Sequence, residues 1–170
     1  MSLPDDLLLQ ARMLATIDHR RPKQVNLRRA ISNAYYALFH LLTTDAARLF
    51  VRDHPATAAR IARTLSHADV RNVSLEFSRG QLPKSLRSLD EPIEISPQLR
   101  SVSDAVTRLQ QARHRADYDL DKTFTRPTAI GFIEEAETAF ANWAIVKSAD
   151  DARLYLACFS MWDSWNKPPR

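Results

Sequence analysis

Proline punctuates this chain at positions 4, 22, 55, 83, 92, 97, 127, 168 and 169, and long Pro-free intervals lie between them. Proline suits the first turn of a helix, where its missing N–H is not needed, and breaks a helix interior. The prolines therefore mark helix starts and loops. Inside the intervals, apolar residues recur three or four positions apart, the period of an α-helix with one buried face. The chain reads as all-α.

Glycine adds to the constraint. Gly80 and Gly131 are the only two in 170 residues. A Gly-rich loop that cradles phosphates needs several, so dinucleotide and P-loop fingerprints are excluded. The length fits one domain with a buried core. A single cysteine, Cys158, excludes a disulfide framework and a cysteine zinc site, and fits a reducing cytoplasm. The five histidines contain no HxxxH or HxxH pair, so no metal site is expected. We find no 18-residue apolar run and no basic-apolar-small leader, and expect neither a membrane span nor a signal peptide.

The net charge is +4, and its distribution says more than its size. Arg20, Arg21, Lys23, Arg28 and Arg29 form a run without an acid. Between Arg60 and Arg87 six basic residues face only Asp69 and Glu76. Such clusters suit a polyanion or an acidic protein partner.

Taken in order, a first helix is expected from Pro4 to His19, with Asp5 and Asp6 in its first turn. A second spans about Gln24 to Val51, with Asn26 as a cap and Leu27, Ile31, Ala34, Leu38, Leu41 and Leu42 as the core stripe. A third runs from Pro55 to about Phe77, with a break near Asp69 to Asn72. Residues 80–96 form the one long loop, either a flap over a site or a surface crossover. A fourth helix opens with Ser96 as cap and Pro97 at its first position. A fifth runs from Pro127 to Lys147, where Gly131 suggests a close helix–helix contact. After Ser148 to Asp151, a last helix carries Leu154, Cys158, Met161, Trp162 and Trp165.

Two stretches carry chemistry. Gln111 to Asp119 reads QARHRADYD and places Arg113, His114, Arg115, Asp117 and Tyr118 at the end of the fourth helix. These residue types bind phosphate bidentately, move protons and orient one another. Arg113 and Asp117, four apart, share a helix face. Tyr118 lies about 140° round an ideal helix from Arg113, so the two should meet only at a distorted helix end or across two subunits. The same residues also suit a solvated helix end with a surface ion pair. On the second helix, Arg29, Asn33, Tyr36 and His40 fall at spacings of four, three and four, a polar stripe that reads as a lining. Packing aromatics and a satisfied core histidine are the alternative.

The pair LRRAISNAYYALFHLL (27–42) and RHRADYDLDKTFTRPTAIGF (113–132), in this order on two long helices, resembles the HEPN superfamily. It is most similar to the small prokaryotic branch with an AYYA-type second helix and an R-x-x-ADY helix end. The resemblance covers about residues 5–147 and divides the chain into a bundle over 1–147 and a helical extension over 148–170. It implies an up-and-down bundle of four to five long helices that forms a homodimer in the cytoplasm. In many members an Arg-x(4–6)-His motif from each subunit builds a metal-independent endoribonuclease site, without cofactor, at the dimer interface. There the RNA 2′-hydroxyl attacks the adjacent phosphorus.

By position, Arg113 matches the motif arginine and would hold the scissile phosphate. Tyr118 stands where the motif histidine would fall, and His40 is a replacement proton acceptor if it faces Arg113. The catalytic candidates are thus Arg113, Asp117 and Tyr118, with Arg29, Asn33, Tyr36, His40 and His114 as binding candidates. A related branch with an Arg…Tyr motif pairs with a nucleotidyltransferase antitoxin that adenylylates the tyrosine. The expected function is therefore a metal-independent endoribonuclease or toxin component with its site at the dimer interface. The alternative is a non-catalytic module that binds RNA or nucleotide, or docks such a nucleotidyltransferase.

Overall fold

The computed structural model describes residues 2–87 and 93–166. Asp90, Glu91 and Pro92 of the long loop, with Pro168 and Pro169, lie outside the described residues. Among the described residues the regular structure is all helical, with no strand. The helices are α1 (Leu3–Thr16), α2 (Gln24–Phe50), α3 (Pro55–Ala62), α4 (His67–Ser78), α5 (Pro97–Tyr118), α6 (Arg126–Val146) and α7 (Asp150–Asn166), with a 3-10 turn at Lys84–Leu86. No helix among the described residues is long and apolar enough to cross a membrane. The chain packs as two units, one of residues 1–41 and 105–141, the other of 42–104 and 142–170.

In the first unit, α1 starts where Ser2 donates its backbone N–H and its hydroxyl to the Asp5 carboxylate, at 3.1 and 2.6 Å. The carboxylate reaching back to the Ser2 N–H is the acidic half of a capping box. These bonds hold the Asp5 carboxyl below its ordinary pKa. The helix ends at Thr16, three residues before the expected His19. Asp18 explains the early stop: its carboxylate accepts the Lys23 N–H at 2.9 Å and the Asn26 amide at 2.8 Å, which folds the basic turn back onto α2. Asn26 therefore braces this turn from inside α2 and does not cap it.

Leu27, Ile31, Ala34 and Leu38 of α2 are fully buried, as expected. They share the core with Ala11 and Ala15 of α1, Val106, Leu109, Ala112 and Ala116 of α5, and Ala129, Ile133, Ala136 and Ala139 of α6. Leu41 is only half-buried. Many of these residues are alanines, which bring helix backbones close and leave little room for a void. Arg12 of α1 binds Glu137 of α6, its Nε donating to Oε1 at 3.0 Å.

The turn after α5 is held by α2. Gln24 both donates to the Phe124 carbonyl and accepts the Phe124 N–H, each at 2.8 Å. Arg28 donates to the carbonyls of Ala116 (2.8 Å) and Asp119 (2.9 Å) and also to that of Lys122. The last carbonyls of a helix have no intrahelical partner, and a cation there also meets the negative end of the helix dipole. Part of the basic run thus has an internal role, whereas Arg20, Arg21 and Arg29 are exposed.

In the second unit, the expected third helix is two helices. The break lies at Arg63–Ser66, and Asn72 is inside α4. Ser66 has extended backbone angles; its hydroxyl accepts the Asp69 N–H at 3.0 Å and donates to the Asp69 carboxylate at 2.7 Å. A Ser-x-x-Asp cap starts a new helix, and so moves the break ahead of the polar residues first taken for it. Gly80 ends α4 with φ +70°, and the Arg100 guanidinium occupies the space beside it where a side chain would begin.

Tyr155 of α7 is buried between Phe77 (5.0 Å between ring centroids) and Phe159 (4.7 Å), and its hydroxyl lies 2.7 Å from that of Ser74. Burial pushes the Tyr155 phenol up and the Cys158 thiol up to about 12, so both stay neutral. The buried face of α7 is Ala152, Tyr155, Leu156, Cys158 and Phe159. Of the expected stripe only Cys158 belongs to it; Met161 is exposed, and Leu154, Trp162 and Trp165 are half-buried. The long aromatics Tyr155 and Phe159, one turn apart, set the rotation of the helix.

Gly131 does not mark a close helix contact. A side chain built there meets nothing within 4 Å.

Candidate functional site

Within the first unit, α2 presents Ser32, Tyr36 and His40 one turn apart, and α5 presents Arg113 and Asp117 one turn apart. Arg113 Nε lies 2.8 Å from Asp117 Oδ2, an ion pair whose N–H is not directed at the oxygen, so Nε is a buried donor without a hydrogen bond to a described residue. The other carboxylate oxygen, Oδ1, accepts a hydrogen bond from Ser32 Oγ at 2.5 Å. Arg113 Nη2 donates to the Tyr36 hydroxyl at 2.7 Å. The guanidinium also lies over two rings, with Cζ 5.4 Å from the Tyr36 centroid and 5.6 Å from that of Tyr118. His40 stacks on Tyr36, the centroids 6.2 Å apart and the planes 25° from parallel. His114 and Tyr118 form a tilted pair at 5.0 Å.

Arg113 and Tyr118 meet in one chain without distortion of the helix. α5 remains helical through Tyr118, and the Asp119 N–H still reaches the Arg115 carbonyl at 3.1 Å. The ion pair with Asp117 draws the long arginine side chain toward the C-terminal end of α5, and the neighbouring tyrosine ring lies beside its path. The expectation of a distorted end or a second subunit overlooked this reach.

Burial works to lower the Arg113 pKa, but the bond to Tyr36 and the charge of Asp117 outweigh it, so the net shift is upward and the guanidinium stays charged. Burial lowers the pKa of His40 below its ordinary value, so its imidazole is neutral at pH 7. A half-buried cation held by one carboxylate and one hydroxyl has donors to spare, and none from Nη1 is taken by a described residue. A planar guanidinium edge of this kind matches a phosphate. The Tyr118 residue is 63% exposed, an aromatic face open to solvent beside that cation.

Six of the eight expected site residues gather here: Arg113, Asp117, Tyr118, Tyr36, His40 and His114. Two do not. Asn33 is buried, and its amide donates to Gln10 of α1 at 2.8 Å. Arg29 is exposed, with no hydrogen bond or ion pair to the cluster. The lining stripe of α2 is 32-36-40, not 29-33-36-40. Ser32 is the residue the sequence reading missed. Its spacing of four to Tyr36 and eight to His40 was the available signal. Arg28 was also missed as the clamp on the end of α5, and nothing in its spacing marks that role.

Comparison of the chain with protein-family models, curated proteins and solved structures finds no match.

Proposed function

We propose that this chain is a HEPN-like up-and-down helical bundle, and that it acts as a metal-independent endoribonuclease or toxin component at a homodimer interface in the cytoplasm. One observation carries this reading. Arg113 is charged, half-buried and aimed by Asp117 and Tyr36, with the Nη1 donors left over for a phosphate oxygen. In the proposed reaction His40, neutral at pH 7, accepts the proton of the RNA 2′-hydroxyl. The 2′-oxygen attacks the adjacent phosphorus. Arg113 stabilises the charge that develops on the phosphoryl oxygens. The bond to the 5′-oxygen breaks, and Tyr118 donates the proton that this oxygen takes up. A 2′,3′-cyclic phosphate and a 5′-hydroxyl result. An exposed apolar stripe, Leu9 and Met13 of α1 followed by Ile17, lies in the same unit as the site and supports the homodimer.

A second reading is favoured by the exposure of Tyr118. With the residue 63% exposed, the chain on this reading is a non-catalytic RNA- or nucleotide-binding module, or the docking target of a nucleotidyltransferase antitoxin that modifies Tyr118. Cleavage of mixed RNA in EDTA by wild type and Arg113→Ala separates the two. Cleavage by wild type alone, with a cyclic phosphate product, supports the ribonuclease. Saturable binding of RNA or nucleotide without turnover moves the assignment to the binding module, and absence of cleavage, of binding and of an adenylylated Tyr118 by mass overturns both readings.

A further inference from the structure

Among the described residues, three serines are fully buried within helices, and they direct their hydroxyl protons differently. Ser74 donates to the Val70 carbonyl at 2.6 Å and Ser103 to that of Leu99 at 2.8 Å, each four residues back on its own helix, and both hydroxyls also meet the Tyr155 hydroxyl of α7. The bond to the carbonyl is the ordinary way for a helical serine to satisfy itself. Ser32 is equally buried, but its hydroxyl donates across to α5, to a carboxylate that is ion-paired in turn. The link from Ser32 to Asp117 to Arg113 to Tyr36 runs through contacts of 2.5, 2.8 and 2.7 Å and returns to α2 one turn from its start.

We infer that Ser32 is a positioning residue for the Arg113 site. It pins one oxygen of Asp117, so that the other stays in the ion pair beside Nε, without a directed Nε–H bond, and does not swing across the Nη1 edge that faces a phosphate. This rests on the phosphate-binding role proposed for Arg113. A hydrogen bond to a charged acceptor is short and directional, and it holds the carboxylate in one rotamer. Without it, the partly exposed Asp117 is free to turn toward water or to pair with Nη1 and Nη2 together. The second pose would place an internal anion where the phosphate should bind.

The test is a double-mutant cycle read by binding. The probe is fluorescein-labelled 2′-O-methyl RNA, which has no free 2′-hydroxyl and cannot be cleaved through it. Ser32→Ala should weaken binding by about tenfold, the loss of one charged hydrogen bond. In the Asp117→Ala background the same substitution should change binding by less than about twofold, because Ser32 acts through Asp117. A purely structural serine would weaken binding equally in both backgrounds, and that result overturns the inference. A second measurement needs no ligand: the NMR order of the Arg113 Nε–H should fall in Ser32→Ala. Unchanged order together with unchanged binding also overturns it. If wild type binds no RNA while Ser32→Ala still releases the Nε–H, the positioning role stands and the proposed function fails. If the order is then unchanged, both fail.

Discussion

Arg113 of α5 donates from Nη2 to the Tyr36 hydroxyl of α2 at 2.7 Å, and its guanidinium also lies over the Tyr36 ring. One tyrosine thus serves the arginine through its oxygen and its π-face. Tyr36→Phe removes the first and keeps the second. We expect a loss of about 1 kcal/mol in folding stability by urea denaturation, the net value of one hydrogen bond. Tyr36→Ala should cost more, since the ring is lost as well. Equal losses in the two variants would mean that the ring contributes nothing.

His40 makes stability depend on pH. Burial places its folded pKa below the ordinary 6.5, so the unfolded chain binds the proton more readily. Stability from this group is full above pH 6.5 and is lost as pH falls through the folded value. Thermal melts of wild type and His40→Gln between pH 7.5 and pH 5 check this. The wild type should lose more of its Tm over that range than the variant. Parallel curves would show that His40 is not the group responsible.

Gly80 and Gly131 should respond to alanine in opposite directions. At Gly80 the positive φ and the adjacent Arg100 guanidinium make any side chain unfavourable, and Gly80→Ala should destabilise by about 1–2 kcal/mol. At Gly131 the helix is open around the missing side chain, and Gly131→Ala should stabilise by about 0.5–1 kcal/mol. Chemical denaturation of both variants decides it. A destabilised Gly131→Ala would show that something packs against this face in solution.

Arg28 ties α2 to the last carbonyls of α5 and the turn beyond. Arg28→Lys keeps the charge but has no guanidinium fork to reach several carbonyls together. The expected result is faster amide exchange at residues 119–124 and a stability loss of about 1 kcal/mol by urea denaturation. Exchange unchanged from wild type would show that Gln24 holds the turn by itself.

Much of the fold could be read from the chain, because helix boundaries are local. Pro55, Pro97 and Pro127 stand at or next to the first residues of α3, α5 and α6, and the buried stripe from Leu27 to Leu38 follows the helical period. The misreadings were local signals given the wrong weight. Ser66 and Asp69 form a cap that starts α4, and Asp18, inside the span expected for the first helix, instead folds the chain back beyond the end of α1.

The site divides along the same line. Spacing alone put Arg113 and Asp117 on one face of α5, and Tyr36 and His40 on one face of α2. No local rule pairs those two faces, since 77 residues separate Tyr36 from Arg113. Only packing around the alanine-rich core brings them together. It also decides the rotation of α2, which turns Ser32 toward Asp117 and Asn33 toward Gln10. Helices and their apolar faces follow from residue order and the 3.6-residue period. Which polar residue of α2 meets which residue of another helix depends on rotations that only the packed core sets.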